Sequence, residues 1–378
     1  MYIRLVSSKN RYLLGSFGMA SGKTLVAPLD WGLGHATRCI PVIRELLKAG
    51  HEVVIAADGR MEHLLREEFP DLRFVYLKGY GLSYSSVFPA WLKIIFQLPK
   101  IIFRMLVEHS HLKNIIREHK IDVVISDGRF GLWNKNICSV YMTHQVMIKC
   151  PRGLGVFEPL LYYFHSRIIN KYNFCWIPDY KGAANISGDL SHKYPLPSNA
   201  RFINPLSRYT PSSEEITFEY DLCIVISGPE PSRSVFEKIV LSQLDTYTGK
   251  AILIEGRPGR KHDEQKGNHR IVSHLPSEAL KKAIVSSRLV VCRSGYSSIM
   301  DLVSLKKDAL LIPTPGQTEQ EYLAEYLTSQ KIFKSVSQSE FSLADAETTG
   351  DFSVHNLMAG NDDGNLLKNA VEQLRDSE

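Results

Sequence analysis

The chain has 378 residues, of which 44% are hydrophobic and 22% charged, values typical of soluble globular proteins of about two domains. Six scattered cysteines without a CxxC pair argue against a disulfide framework and for a reducing compartment, and the absence of an apolar run of about 18 residues predicts no transmembrane helix. The net charge of +5 combines +9 over residues 1–190 with −4 over residues 191–378. The basic first half suggests an anionic partner, and ordinary surface charge is the alternative interpretation.

Residues 1–23 are predicted to form an N-terminal extension without a secretory signal. Residues 24–195 alternate apolar strands with helices, which predicts a parallel sheet covered on both faces. The predicted strands are Thr24–Leu29, Glu52–Ala57, Phe74–Leu77, Ile121–Ser126, Ser139–Thr143 and Asn173–Ile177, and the clearest helix is Ala36–Lys48.

Residues 196–215 are rich in Pro, Ser and Asn and are predicted to link two domains. Residues 216–360 repeat the alternation, and 361–378 hold a final helix. The predicted strands are Asp221–Ser227, Ala251–Glu255, Leu289–Cys292 and Ala309–Ile312; the predicted helices are Ser234–Leu244, Ser277–Ser286, Ser297–Leu305 and Glu319–Ser329. The fold class is therefore α/β, with two doubly wound, Rossmann-like domains facing a cleft. Ligands of such sheets bind at the carboxyl ends of the strands.

The first such loop reads Asp-Trp-Gly-Leu-Gly-His-Ala-Thr-Arg over residues 30–38. Gly32 and Gly34 allow the backbone to turn tightly against an acceptor-side ligand, and His35 can accept a proton from an alcohol near neutral pH. A helix-capping or packed histidine is the alternative. A dinucleotide loop needs glycine where Thr37 stands, which disfavours NAD.

Two further residues follow neighbouring strands of the first half. Asp127 precedes a glycine and could hold the imidazole of His35 in one tautomer, but it is equally typical of a turn. His144 follows the next strand and is a weaker candidate on the acceptor side.

The second half contains two successive loops between a strand and a helix. In Cys292–Asp301, the hydroxyls and first-turn amides around Ser294, Gly295 and Ser297 suit a diphosphate. A Ser-capped helix is the alternative. The loop at 313–321 places Gly316, Glu319 and Gln320 where they can bind sugar hydroxyls, or it is a plain turn with an acidic first helical turn.

With these motifs in this order, the chain resembles family 28-like glycosyltransferases of the GT-B fold, most specifically over Cys292–Asp301. The resemblance implies that the C-terminal domain binds a nucleotide sugar. The base would then lie near His274, and the phosphates near Gly228, Ser294 and Gly295. The implied contacts also include the ribose at Asp301, where the family usually has glutamate, and the donor sugar at Glu319 and Gln320. Arg293 would stabilise the departing diphosphate.

The resemblance further implies an inverting hexosyltransferase that uses a UDP-linked sugar, with His35 as base and Asp127 as its partner. No metal and no cofactor are expected beyond the nucleotide-sugar co-substrate, because no convincing DxD motif is present. A lipid-linked or small-molecule glycan is the expected acceptor, nucleic acid is not an expected partner, and the expected location is the cytoplasm or the inner face of the cell membrane. The alternatives are a nucleotide-sugar epimerase or hydrolase and a non-catalytic sugar-nucleotide-binding protein.

Residues 85–107 are apolar and aromatic with interspersed cations, and Pro99 is expected to prevent a single straight helix. Such a segment could lie in a membrane interface. The alternative, one or two helices packed on the sheet, is slightly favoured.

Overall fold

The computed structural model describes residues 21–81, 90–210, 217–257, 259–346, 350–358 and 364–375. They form two α/β domains, each with a seven-stranded sheet, and the predicted fold class is confirmed. Of the predicted extension 1–23, residues 1–20 lie outside the described part, and the first strand begins at Ser21.

The N-terminal sheet is parallel throughout, in the order β3-β2-β1-β4-β5-β6-β7. Because neighbouring strands run in the same direction, the loops that follow them gather at one edge of the sheet. The strands are β1 (Ser21–Pro28), β2 (His51–Ala57), β3 (Arg73–Tyr76), β4 (Val123–Asp127), β5 (Cys138–Met142), β6 (Phe174–Ile177) and β7 (Ala200–Phe202).

The described helices of this domain are α1 (Leu33–Lys48), α2 (Gly59–Glu68), α3 (Ala90–His119), α4 (Glu158–Ile169) and α5 (Asp189–His192). The helix α3 passes through Pro99 without ending, so the segment from Ala90 onwards forms one helix. An internal proline costs about 3 kcal/mol. Buried contacts of Glu108, Leu112 and Ile115 further along the helix offset that cost.

The C-terminal sheet has the order β10-β11-β9-β8-β12-β13-β14 and is parallel except for the β10–β11 hairpin. The hairpin was not predicted, because its first strand is wholly exposed and polar. The strands are β8 (Tyr220–Val225), β9 (Ala251–Ile254), β10 (Asp263–Lys266), β11 (His269–Val272), β12 (Ser287–Cys292), β13 (Ala309–Leu311) and β14 (Lys334–Ser335). The helices are α6 (Ser232–Leu244), α7 (Ser277–Val285), α8 (Tyr296–Ser304), α9 (Thr318–Ser329), α10 (His355–Met358) and α11 (Leu366–Arg375).

The two domains share one apolar core. A continuous cluster of buried side chains runs from α1 through Tyr209 and Tyr296 into the second domain, and α11 packs back on α1. The strand β7 lies inside the predicted linker 196–215, whose residues 211–215 lie outside the described part. Within the part of the chain that the structure describes, no helix is long and apolar enough to cross a membrane.

Candidate active site

Each sheet has one position at which the strand order reverses, and ligands of doubly wound sheets bind beside that position. In the N-terminal sheet it lies between β1 and β4, where Pro28 is paired in register with Asp127. In the C-terminal sheet it lies between β8 and β12, where Val225 is paired with Cys292. The ends of these four strands, the loops after them and the first turns of α1 and α8 together carry most of the predicted site residues.

The structure brings His35 and Asp127 together. His35 lies in the first turn of α1, and its Nδ1 is 3.0 Å from Oδ2 of Asp127. Asp127 is fully buried, whereas the side chain of His35 keeps 17% of its surface exposed. Between them Gly128 has a φ of 74°, and a Cβ there would lie 3.1 Å from the imidazole Cε1. A glycine is therefore required beside the ring, both for this backbone conformation and for the close approach.

Arg38 also binds Asp127, although the sequence had not indicated a role for it. Its Nε lies 2.8 Å from both carboxylate oxygens of Asp127, and its Nη2 forms a second bond to the same carboxylate. Burial opposes the ionisation of Asp127, but Arg38 and His35 outweigh it and hold the pKa of that carboxyl below its ordinary value. Arg38 stands three residues after His35 on one helix, a spacing that places both on the same face.

The imidazole of His35 has two competing partners at one nitrogen. Nη2 of Arg38 lies 2.8 Å from Nδ1, the atom that also faces Asp127. A guanidinium can only donate, so Nδ1 either accepts from Arg38 or carries a hydrogen and donates to Asp127. Only the second tautomer leaves Nε2 free to accept a proton. Within the described residues, Nε2 has no hydrogen-bond partner.

His144 and Glu319 meet across the domain boundary. His144 Nε2 lies 2.9 Å from Oε1 of Glu319, and Nη1 of Arg38 lies 2.8 Å from Nδ1 of the same ring. Burial lowers the pKa of His144. For Glu319, burial opposes ionisation, but His144 and Arg38 lower the pKa of the carboxyl. A neutral imidazole beside a carboxylate is thus the favoured state.

The amino ends of α1 and α8 also meet, at Gly34 and Ser297. The Ser297 hydroxyl donates to the Gly34 carbonyl at 2.9 Å, and a Cβ on Gly34 would lie 2.7 Å from that hydroxyl oxygen. Only glycine permits this approach of the two domains. Gly32, which precedes α1 with a φ of 99°, belongs to the same loop. Two helix amino ends, each with a positive partial charge, therefore face one part of the cleft.

The loops after β12 and β13 support each other. The buried Ser294 hydroxyl donates to the Gln320 carbonyl at 2.8 Å, and the Gln320 Oε1 accepts from the Thr314 amide at 2.9 Å. The Thr314 hydroxyl is buried, and no group among the described residues is hydrogen-bonded to it. It lies beside Gly228, at the end of the β8 loop, where a polar ligand atom would satisfy it.

Gly316 and Gly295 flank these contacts. The Gly316 amide donates to Oε1 of Glu321 at 2.7 Å, which fixes the turn before α9. A Cβ on Gly295 would be 3.9 Å from Nε2 of Gln320, so the amide group of Gln320 lies over the amino end of α8.

Two predicted donor residues lie away from the open cleft. The buried Arg293 donates to the carbonyls of Ser232 and Ile312 and to the side chain of Gln338, and burial lowers its pKa to about 10. Its position suits holding the loops in place.

Asp301 faces the interdomain connection. It accepts from the Ser207 hydroxyl at 2.6 Å and lies 3.6 Å from Nε of Arg208. A ribose contact would have to share its carboxylate with these groups. His274 follows β11 and is partly buried, and burial lowers its pKa. The ribose and base contacts of these two residues stay predictions.

Sequence reasoning missed Arg38, Thr314 and the role of Tyr296, whose ring stacks on His144 at 4.0 Å. Of these three residues, only Arg38 could have been identified from the sequence, by its spacing from His35. In the described part of the chain, no group of three or more His, Cys, Asp or Glu side chains is arranged to hold a metal ion.

Each domain contains a segment that is similar to a known glycosyltransferase family. Residues 240–358 match the glycosyltransferase family 28 C-terminal domain, and residues 29–148 match glycosyl transferase family 1. An uncharacterized glycosyltransferase of Methanosarcina acetivorans is 25% identical over 77% of this chain and 79% of its own length. The UDP-N-acetylglucosamine--N-acetylmuramyl-(pentapeptide) pyrophosphoryl-undecaprenol N-acetylglucosamine transferase of Haemophilus ducreyi is 21% identical over 82% and 83%.

Solved glycosyltransferase structures have a similar fold. The crystal structure of the glycosyltransferase of kitacinnamycin superposes with a TM-score of 0.59, at 14% identity and over 94% of each chain. The family matches cover parts of both domains and include the β12–α8 loop, where the predicted donor residues lie. The chain is therefore a glycosyltransferase with a GT-B fold, similar to family 28 glycosyltransferases over its C-terminal domain.

Proposed function

We propose that this glycosyltransferase moves a hexose from a UDP-linked sugar to an acceptor hydroxyl, with inversion and without a metal. The pairing of His35 with the buried Asp127, opposite the amino end of α8, is the observation that carries the proposal. The name of the Haemophilus ducreyi relative, which includes a UDP-linked donor, supports the choice of uracil.

In the proposed reaction the acceptor oxygen attacks the anomeric carbon as its proton passes to Nε2 of His35. Asp127 accepts a hydrogen bond from Nδ1–H and stabilises the imidazolium that forms. The bond from the anomeric carbon to the phosphate oxygen breaks, and the nucleoside diphosphate leaves with the electron pair. Amides at the start of α8 face the charge that develops on that oxygen.

A thermal-shift titration against UDP, TDP, GDP, ADP and NAD, with and without EDTA, tests the donor site. Because a ligand that binds only the folded state raises its melting temperature, UDP at about 100 times its Kd should stabilise the protein by about 2.7 kcal/mol. We expect a shift of several degrees with UDP that EDTA does not change. A shift with TDP or GDP instead would redirect the donor search, and none with any diphosphate would refute a nucleotide-sugar donor.

We further propose that the N-terminal domain contacts an anionic membrane, where a lipid-linked glycan would be the acceptor. The described part of α3 exposes Phe96, Leu98, Ile102, Phe103 and Leu106. The side chains of residues 85–95 lie outside the described part. Lys100 and Arg104 lie among the exposed apolar residues, an arrangement that suits anionic headgroups.

A second apolar surface lies at the start of α4. Its exposed residues are Val156, Phe157, Leu160, Tyr163 and Phe164. The loop after β4 joins the two surfaces, since Trp133 stacks on His109 of α3 and Phe130 packs against His165 of α4. That loop begins at Asp127, so a membrane-bound acceptor would arrive close to the proposed base.

Phe103→Asp should weaken binding to vesicles of phosphatidylcholine and phosphatidylglycerol at low salt by about tenfold or more, because burying a phenylalanine side chain contributes about 1.5–3 kcal/mol. Cosedimentation measures the effect. Val235→Asp, at an exposed apolar position of α6, is the matched control and should bind like the wild type. Absence of wild-type binding, or equal loss in both variants, would contradict membrane contact through α3.

A further inference from the structure

We propose that His144 is a positioning residue for the donor sugar, which acts through Glu319 from the opposite domain. The inference rests on the proposed function, because it assumes that Glu319 contacts the sugar of a nucleotide sugar. It adds a second component to the donor site: a residue of the N-terminal domain that orients a carboxylate of the C-terminal domain.

Arg38 determines the hydrogen position on His144. Its Nη1 lies 2.8 Å from Nδ1 of the ring, and a guanidinium has hydrogens to give but no lone pair to accept one. Nδ1 therefore accepts, and the hydrogen of the neutral ring is on Nε2. From there it donates to Oε1 of Glu319 at 2.9 Å. The three groups form one chain of hydrogen bonds with a single direction.

The ring of His144 is held from both domains. It lies parallel to the ring of Tyr296, with an angle of 13° and 4.0 Å between centroids. The Tyr296 hydroxyl in turn donates to the Pro178 carbonyl at 2.9 Å. Because Tyr296 is the first residue of α8, His144 contacts both the carboxylate and the helix end that the donor would meet.

The second carboxylate oxygen of Glu319 is left for a ligand. Among the described residues, Oε2 of Glu319 has no hydrogen-bond partner, and the side chain keeps 25% of its surface exposed. A glutamate has three rotatable side-chain bonds, so a bond at Oε1 restricts where Oε2 points. Holding that group ready for a sugar hydroxyl lowers the ordering cost at binding.

The test compares two substitutions, each of which keeps one of the two hydrogen bonds made by the ring. The side chain of His144→Asn places an oxygen near Nδ1, which keeps an acceptor for Arg38, but it is too short to reach Glu319. The side chain of His144→Gln places an amide nitrogen near Nε2, which keeps the bond to Glu319. Affinities for UDP and for UDP-glucose, UDP-galactose and UDP-N-acetylglucosamine are measured by calorimetry on the full chain, and the preferred sugar is used for comparison.

We expect His144→Asn to lose about five- to tenfold in affinity for the preferred UDP-sugar with an unchanged affinity for UDP, and His144→Gln to recover most of the loss. In the Glu319→Gln background the asparagine substitution should have little further effect, because residues that act through one contact are not additive. Unchanged UDP affinity also shows that each variant is folded.

Equal UDP-sugar affinity in His144→Asn and wild type would overturn the inference while leaving the donor proposal intact. An equal loss for UDP and UDP-sugar would also overturn it, since the role would then be structural. If the wild-type protein binds UDP but none of the UDP-sugars, the assumed sugar contact is absent and this inference fails; if it binds no nucleoside diphosphate either, the proposed donor site fails as well.

Discussion

Replacement of His35 by alanine is expected to lower the rate of sugar transfer by about 10²- to 10⁴-fold, the usual contribution of a general base. The imidazole of His35 lies 3.0 Å from the fully buried carboxylate of Asp127 and keeps 17% of its side chain exposed, the arrangement that a general base needs. Affinity for UDP should be unchanged, because His35 lies in the opposite domain from the predicted nucleotide contacts. Initial rates with the preferred UDP-sugar, together with calorimetry of UDP, provide the measurement.

His63→Ala is the matched control for that substitution. His63 lies on α2, and its side chain is 80% exposed. The variant should therefore transfer sugar like the wild type. Loss of UDP affinity in His35→Ala would indicate a structural role. Retained transfer in a folded His35→Ala protein would refute His35 as the base.

The second large effect concerns stability. Asp127→Ala should destabilise the N-terminal domain by about 3–5 kcal/mol at pH 7, because it leaves the buried Arg38 without its carboxylate partner. Transfer should also fall, since His35 loses the acceptor for its Nδ1 hydrogen. Urea unfolding followed by circular dichroism measures the first effect, and Asp71→Ala, at an exposed position, is the control.

The same pair predicts a pH dependence. The folded-state pKa of Asp127 lies below its ordinary value of 3.8, so the unfolded chain binds a proton there more readily than the folded protein. The stability that this carboxylate contributes is therefore complete well above pH 4 and is lost as the pH falls through the folded-state pKa. The difference between wild type and Asp127→Ala should narrow below about pH 4. A difference that stays constant down to pH 3 would contradict this assignment.

Most of the strands and helices could be predicted because their signals are local. Apolar runs such as Ala251–Ile254 lie in the middle of the sheets and are buried throughout, so their composition alone identifies them. The strand β10 is polar and wholly exposed, and β7 is a three-residue edge strand, so neither carries such a signal.

The candidate site likewise has features with local sequence signals and features without them. The glycine-rich loop at His35 and the loop at Ser294 were visible because both follow a strand and begin a helix. The contacts that could not be predicted from the sequence depend on side-chain directions and on how the two domains pack against each other. His144 lies 175 residues from Glu319, and Asp301 lies 94 residues from Ser207.

The sequence by itself determined a two-domain α/β fold with the candidate chemistry on the loops after the strands, and its resemblance to family 28-like glycosyltransferases implied the activity. Strand composition, helix spacing and glycine position act over a few residues, which is why they can be read without coordinates. Only the tertiary structure decided that Arg38 joins Asp127, His35 and His144, that Arg293 is buried beneath the loops, and that α3 continues through Pro99. Those outcomes depend on which charged side chains and which helix faces are buried away from water. Burial of this kind depends on how distant segments pack together.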